Sequence, residues 1–77
     1  MESKMDYGKE LQKIYDSEIN VSISSFWDAG MEFRLGDESN GWKWQKDFWN
    51  FEEGMKELIE AIKKFYPNND YVKEMKK

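Results

Sequence analysis

The stretch from Ile19 to Gly41, INVSISSFWDAGMEFRLGDESNG, alternates between apolar and polar residues with a period of two, and turn residues interrupt it twice. A period of two suits a half-buried strand and cannot form the stripe of a helix. Ile19, Val21, Ile23 and Trp27 alternate with Asn20, Ser22, Ser24 and Phe26, which predicts a first strand over 19–28. Ser25 occupies the buried register of that strand, and Phe26 falls outside it. Asp28-Ala29-Gly30 reads as a short turn, because Gly30 can take a positive φ. Met31, Phe33 and Leu35 alternate with Glu32 and Arg34 in a second strand over 31–36. The loop Gly36–Gly41 ends in Asn-Gly, a strong hairpin signal. Trp42 to Lys46 alternate again, predicting a third strand over 42–47. The three strands should form an antiparallel meander.

Helical patterns flank the strands. Tyr7, Leu11, Ile14 and Tyr15 fall on one stripe of a helix expected over 6–18, capped by Asp6 or Ser3. Asn50 is the expected N-cap of a second helix over 51–66, and Glu53 completes a capping-box arrangement with it. Phe51, Met55, Leu58, Ile59, Ile62, Phe65 and Tyr66 form the apolar stripe of that helix. Glu52 and Glu53 at its start and Lys63 and Lys64 at its end suit the helix dipole, and Glu60 and Lys64 are spaced to pair. Pro67 stops the helix, and a short helix over 70–75 is expected after it. The predicted fold is α+β, in the order α-β-β-β-α, a single domain over 1–77. Two helices should cover one face of a three-stranded antiparallel sheet. The other face would stay open and carry Asn20, Ser22, Ser24, Phe26, Glu32, Arg34, Lys43, Gln45 and Asp47.

Composition narrows the chemistry. The chain has 77 residues, 17% of them aromatic, and a hydrophobic content of 39%. Rings must therefore fill much of a thin core, and parity places Trp27, Trp42 and Trp44 inside it. With no Cys and no His, disulfides, Cys/His zinc sites, thiol nucleophiles and histidine relays are excluded. Net charge is −4, and Arg34 is the only arginine, which argues against binding nucleic acid through its phosphates. No apolar run approaches the roughly 20 residues of a membrane span, and MESKMDYGKE has no signal-peptide core. A cytoplasmic protein without membrane attachment is expected.

No motif carries a reaction. Asp28 and Asp37 lie at opposite ends of a hairpin, so the carboxylates near it do not converge, and turn formation accounts for both. The loop Asp37-Glu38-Ser39-Asn40-Gly41 supplies oxygens but fails the spacing of a helix–loop–helix calcium site. No cofactor or metal ligand set is expected.

The α-β-β-β-α order and the length resemble the double-stranded RNA-binding domain. Where that family has a lysine cluster at the start of its last helix, this chain has Asn50, Glu52 and Glu53. Its first hairpin turn also lacks the family's basic loop, so RNA binding is not carried over. A second resemblance rests on Trp27-Asp28-Ala29-Gly30, then Leu35-Gly36-Asp37 and Asn40-Gly41, with Tyr66-Pro67 after the second helix. These residues resemble a group of short bacterial hypothetical proteins with a W-D-x-G…L-G-D-x-x-N-G core. The resemblance implies a small bacterial domain and no particular activity.

Three functional readings follow. The leading one is a non-catalytic protein-interaction module that binds another protein or a second copy of itself as a homodimer. Its candidate interaction surface comprises Phe26, Arg34, Lys43 and Trp49, together with two strand edges free of proline. The second is binding of single-stranded nucleic acid across the open face through the same four residues. The third is an enzyme subunit that completes a site at an interface.

Overall fold

The structure, a computed structural model, describes residues 6–75. Helix α1 spans Tyr7–Asp16, followed by strands β1 (Val21–Phe26), β2 (Gly30–Asp37) and β3 (Gly41–Phe48). Helices α2 (Phe51–Phe65) and α3 (Asp70–Met75) close the described chain. The strands form one antiparallel sheet in the order β1-β2-β3, so the expected α+β meander is present. β1 is shorter than expected, because Ile19 and Asn20 belong to the link from α1, and Trp27 and Asp28 to the following turn. Ser3 and Lys76-Lys77 lie outside the described residues.

Local chemistry sets the element ends. The Asp6 carboxylate accepts from the Gly8 and Lys9 N–H groups, satisfying two donors left free at the start of α1. α1 ends with Glu18 at φ 63° and the Ile19 N–H donating back to the Ile14 carbonyl, a left-handed helix stop. The Asn50 side chain accepts from the Glu53 N–H at 2.9 Å and starts α2. The expected Glu60–Lys64 pair does not form. Glu60 pairs instead with Lys63 at 3.1 Å, and the Lys64 ammonium lies over the Phe65 ring.

All strand residues of the core share one face of the sheet. Phe33 and Leu35 of β2 and Phe48 of β3 pack with Ile14, Met55, Leu58, Ile62 and Val72 from the helices. Phe33 is fully buried, its ring edge-on to Phe48 at 5.5 Å and tilted against Phe51 at 6.1 Å. Gly54 makes this possible, since a Cβ there would overlap the Phe33 ring. Tyr7 meets Phe51 edge-on and joins α1 to α2. α3 is tied to α1 by two polar contacts, from Asn69 Nδ2 to the Ser17 carbonyl and from the Tyr71 hydroxyl to Glu10 Oε1. Burial, and then the Glu10 carboxylate, raise the Tyr71 pKa, so the hydroxyl keeps its proton and donates. Tyr15, expected on the buried stripe of α1, is 76% exposed, because α1 covers the sheet with Leu11 and Ile14 and leaves Tyr15 beyond its edge.

The second hairpin turn is built on Asp37. Its carboxylate accepts from the Asn40 N–H at 2.7 Å and from Asn20 Nδ2 at 2.7 Å, fastening the turn to the start of β1. The Asn40 backbone bond, followed by the Asn20 and Asn40 side chains, holds the Asp37 carboxyl below its ordinary value of 3.8. A depressed carboxyl stabilises the fold when ionised. That contribution is complete above its ordinary pKa and disappears as the pH falls through the lower folded value. Asp37→Asn should therefore be less stable than wild type at neutral pH, and the gap should close on acidification below about pH 4. Denaturant titrations across that range measure it.

Candidate interaction surface

The strand register defines the face that the helices leave uncovered. Ser22, Arg34 and Gln45 form one row across the sheet, and Ser24, Glu32 and Asp47 form the next. Phe26 pairs with Gly30, and the Trp49 ring lies against Gly30 from the other side. Gly30 has φ 92°, and a Cβ there would meet the Phe48 carbonyl oxygen at 2.9 Å and the Trp49 ring at 3.5 Å. The missing side chain lets the Trp49 ring close over the buried Gly30 backbone, beside Phe26. Phe26 and Trp49 are 56% and 75% exposed. These two residues were readable from parity as lying outside the buried register.

The opposite end of the face was not readable that way. Trp42 was expected in the core, but a register shift at Leu35/Gly36 pairs Leu35 with Trp44 and Gly36 with Trp42. Lys43 becomes the extra residue of a β-bulge, and Trp42 moves to the open side. There the Arg34 guanidinium lies over the Trp42 ring, 5.0 Å from its centre. The available signal was Gly36 inside a strand pattern, which often marks a bulge. Trp44 does pack against the core, partly buried, as parity predicts. Trp27 does not. It stands 93% exposed in the first turn, because strand alternation stops at Phe26 and the backbone turns through Trp27–Ala29, with the Ala29 N–H bonded to the Phe26 carbonyl. Ser25, in the buried register, is exposed near that same strand end.

A polar network spans the centre. Glu32 Oε1 accepts from Arg34 Nε at 2.9 Å, and Glu32 Oε2 accepts from Gln45 Nε2 at 2.8 Å. Arg34 is thereby held between a carboxylate and an indole. Asp47 stands directly across from Glu32, and like charges facing across a sheet are unfavourable. The face thus combines aromatic groups at both ends with a centre that holds two carboxylates and one guanidinium. Of the four residues singled out from sequence, Phe26, Arg34 and Trp49 lie on this face, and Lys43 lies in the bulge at its margin.

The chain matches no protein-family model, no curated protein and no solved structure. What the surface can do therefore has to follow from its own geometry.

A separate cleft of about 520 Å³ lies between α1 and α3 and is lined by Glu10, Lys13, Asp16, Asp70, Tyr71 and Glu74 among others. Two of its carboxylates, Glu10 and Asp16, are engaged within the fold. Glu10 accepts from Tyr71 and pairs with Lys13, and Asp16 accepts from Gln12. Among the described residues, no buried side-chain polar atom lacks a hydrogen-bond partner, no group of acidic residues is arranged to hold a metal ion, and no helix is long and apolar enough to cross a membrane.

Proposed function

We propose that this chain is a non-catalytic protein-interaction module, acting in the cytoplasm, that binds a partner protein across the uncovered face of its sheet. The observation that carries the reading is the open face itself. Tryptophan, phenylalanine and arginine are concentrated there around an ordered hydrogen-bond network, the residue types that dominate binding energy at protein interfaces. The face-to-face carboxylates Glu32 and Asp47 favour a partner segment that offers a lysine or arginine between apolar groups.

Single-stranded nucleic acid fits the face less well. Its charged residues sum to one negative charge from Glu32, Asp47 and Arg34, and the guanidinium is already engaged by Glu32 and Trp42. Phosphate contacts need the opposite balance. The third reading, an enzyme subunit, is less favoured, because in the α1/α3 cleft Glu10 and Asp16 already serve as hydrogen-bond acceptors for neighbouring side chains.

The test uses Phe26→Ser and Trp49→Ser, both at exposed positions and expected to shift stability by no more than about 0.5 kcal/mol. Affinity capture from the source cell's lysate with the wild-type chain should enrich a protein that both variants lose. Titration with oligonucleotides at low salt should leave the tryptophan fluorescence of the wild type unchanged. Enrichment identical for all three baits, or a saturating fluorescence change with oligonucleotide, would refute the proposal.

A further inference from the structure

The two edges of the sheet differ. β3 carries Lys43, Lys46 and Asp47, and charged side chains are a common guard against edge-to-edge pairing. β1, Val21–Phe26, carries no charge and no proline. Its inner hydrogen bonds can be assigned. The Gly36 N–H donates to the Asn20 carbonyl at 2.8 Å, and in an antiparallel ladder such bonded pairs alternate. Asn20, Ser22 and Ser24 therefore direct their backbone groups toward β2. Val21, Ile23 and Ser25 direct theirs to the free edge, and among the described residues no other backbone segment bonds to them. An apolar groove of about 410 Å³ runs beside this edge, lined by Leu11, Ile14, Tyr15, Ile19, Val21 and Ile23 with Asn20. The most exposed apolar side chains near the edge are Tyr15 and Trp27.

We infer that β1 pairs with β1 of a second copy of this chain, antiparallel about a two-fold axis at Ile23, making one continuous sheet of two meanders. The second copy is favoured over other occupants by self-complementarity, which a two-fold interface requires. With the axis at Ile23, the outward-facing Val21, Ile23 and Ser25 meet Ser25, Ile23 and Val21 of the other copy, so every outward donor and acceptor finds its match. Ser22 faces Ser24 across the interface. Trp27 of one copy comes alongside Ile19 of the other, at the mouth of its groove, and Phe26 meets Asn20. Two chains that each carry net charge −4 approach along the one strand with no charge of its own. The nearest like charges, Asp28 of one copy and Glu18 of the other, lie beyond the paired residues in exposed turns. Added salt should therefore tighten the dimer. The pairing is independent of the open-face reading, although it would join two such faces into one.

Sedimentation velocity from micromolar to millimolar concentration reads the assembly against a chain mass of 9.3 kDa. The expected result is a concentration-dependent species of twice that mass. Ser25→Pro removes an outward N–H that β2 does not use, and a proline is tolerated on an edge strand in that orientation. It should leave the circular dichroism unchanged and abolish the dimer. Trp49→Ser should leave the dimer intact. A second measurement does not depend on that variant folding. The natural chain has no cysteine, so Ser22→Cys and Ser24→Cys each add a single thiol. Non-hydrogen-bonded partners in an antiparallel pair lie about 4.5 Å apart at Cα, within disulfide range. On oxidation, a mixture of the two variants should cross-link readily, and each variant alone should not. A monomer at every concentration would overturn the inference. So would a dimer that persists in folded Ser25→Pro, a dimer lost in Trp49→Ser, or a mixture that cross-links no faster than either variant alone.

Discussion

Replacing Gly54 by alanine should destabilise the fold by about 1–3 kcal/mol, the usual range for overpacking a core. At most helix positions the same change would gain about 1 kcal/mol, because alanine is the better helix former. The sign reverses here because the added Cβ would overlap the Phe33 ring. The ring has nowhere to retreat. It is completely buried, edge-on to Phe48 and tilted against Phe51. α2 would have to lift from β2, taking Met55 and Leu58 with it. The denaturation midpoint should fall with no change in the slope of the transition. Combining Gly54→Ala with Phe33→Leu supplies the specific check. The double variant should lose less than the sum of the single changes, since the smaller side chain makes room for the methyl group. A stabilising Gly54→Ala would mean that α2 does not sit on Phe33 at this distance.

Gly36→Ala is expected to have an effect of similar size, with a consequence at the open face. Gly36 has φ 112°, a conformation that costs a residue with a side chain about 1–3 kcal/mol. A Cβ there would also meet main-chain atoms, the Gly41 carbonyl oxygen, the Lys43 nitrogen at 3.1 Å and the Trp42 Cα at 3.2 Å. Main chain in a hairpin cannot turn aside as a side chain can. The substitution should undo the bulge at Trp42–Lys43, and with it the placement of Trp42 on Arg34. Two readouts should move together: a lower denaturation midpoint and an altered near-ultraviolet circular dichroism signal from the tryptophans. By contrast, Trp42→Ala should change that signal at much smaller cost, since the indole is 39% exposed.

The fold was legible from the sequence because its signals are local. Alternation in Ile19–Gly41 gave the strands, Asp37 and Gly41 the second turn, and Asn50 the start of α2. The open face was half legible. Parity placed Phe26 and Trp49 outside the core because Phe26 ends the regular register of β1 and Trp49 follows directly on that of β3. It misplaced Trp42 because the extra residue Lys43 between Trp42 and Trp44 sets Trp42 on the opposite face from Trp44, where unbroken alternation would keep the two together. It misplaced Trp27 because alternation has no meaning inside a turn. Tyr15 was misjudged for a different reason. Helical periodicity identifies an apolar stripe, but only packing decides how wide a stripe the sheet can cover. A core supplied by Ile14, Phe33, Leu35, Met55, Leu58, Ile62 and Val72 leaves most of the exposed rings unused. That surplus is what points to binding.

Direct titration of the captured partner tests the central claim, that the uncovered sheet face is the binding surface. Three chains should be compared by calorimetry: wild type, Trp49→Ser, and Phe65→Ser. Phe65 is an exposed ring on α2, on the helical side of the sheet, and matches Trp49 in kind though not in place. Trp49→Ser should weaken binding by about tenfold or more, as loss of an interface aromatic anchor does, and Phe65→Ser should leave the affinity unchanged. Equal affinity for wild type and Trp49→Ser, with binding lost in Phe65→Ser, would place the partner on the helices and contradict the claim.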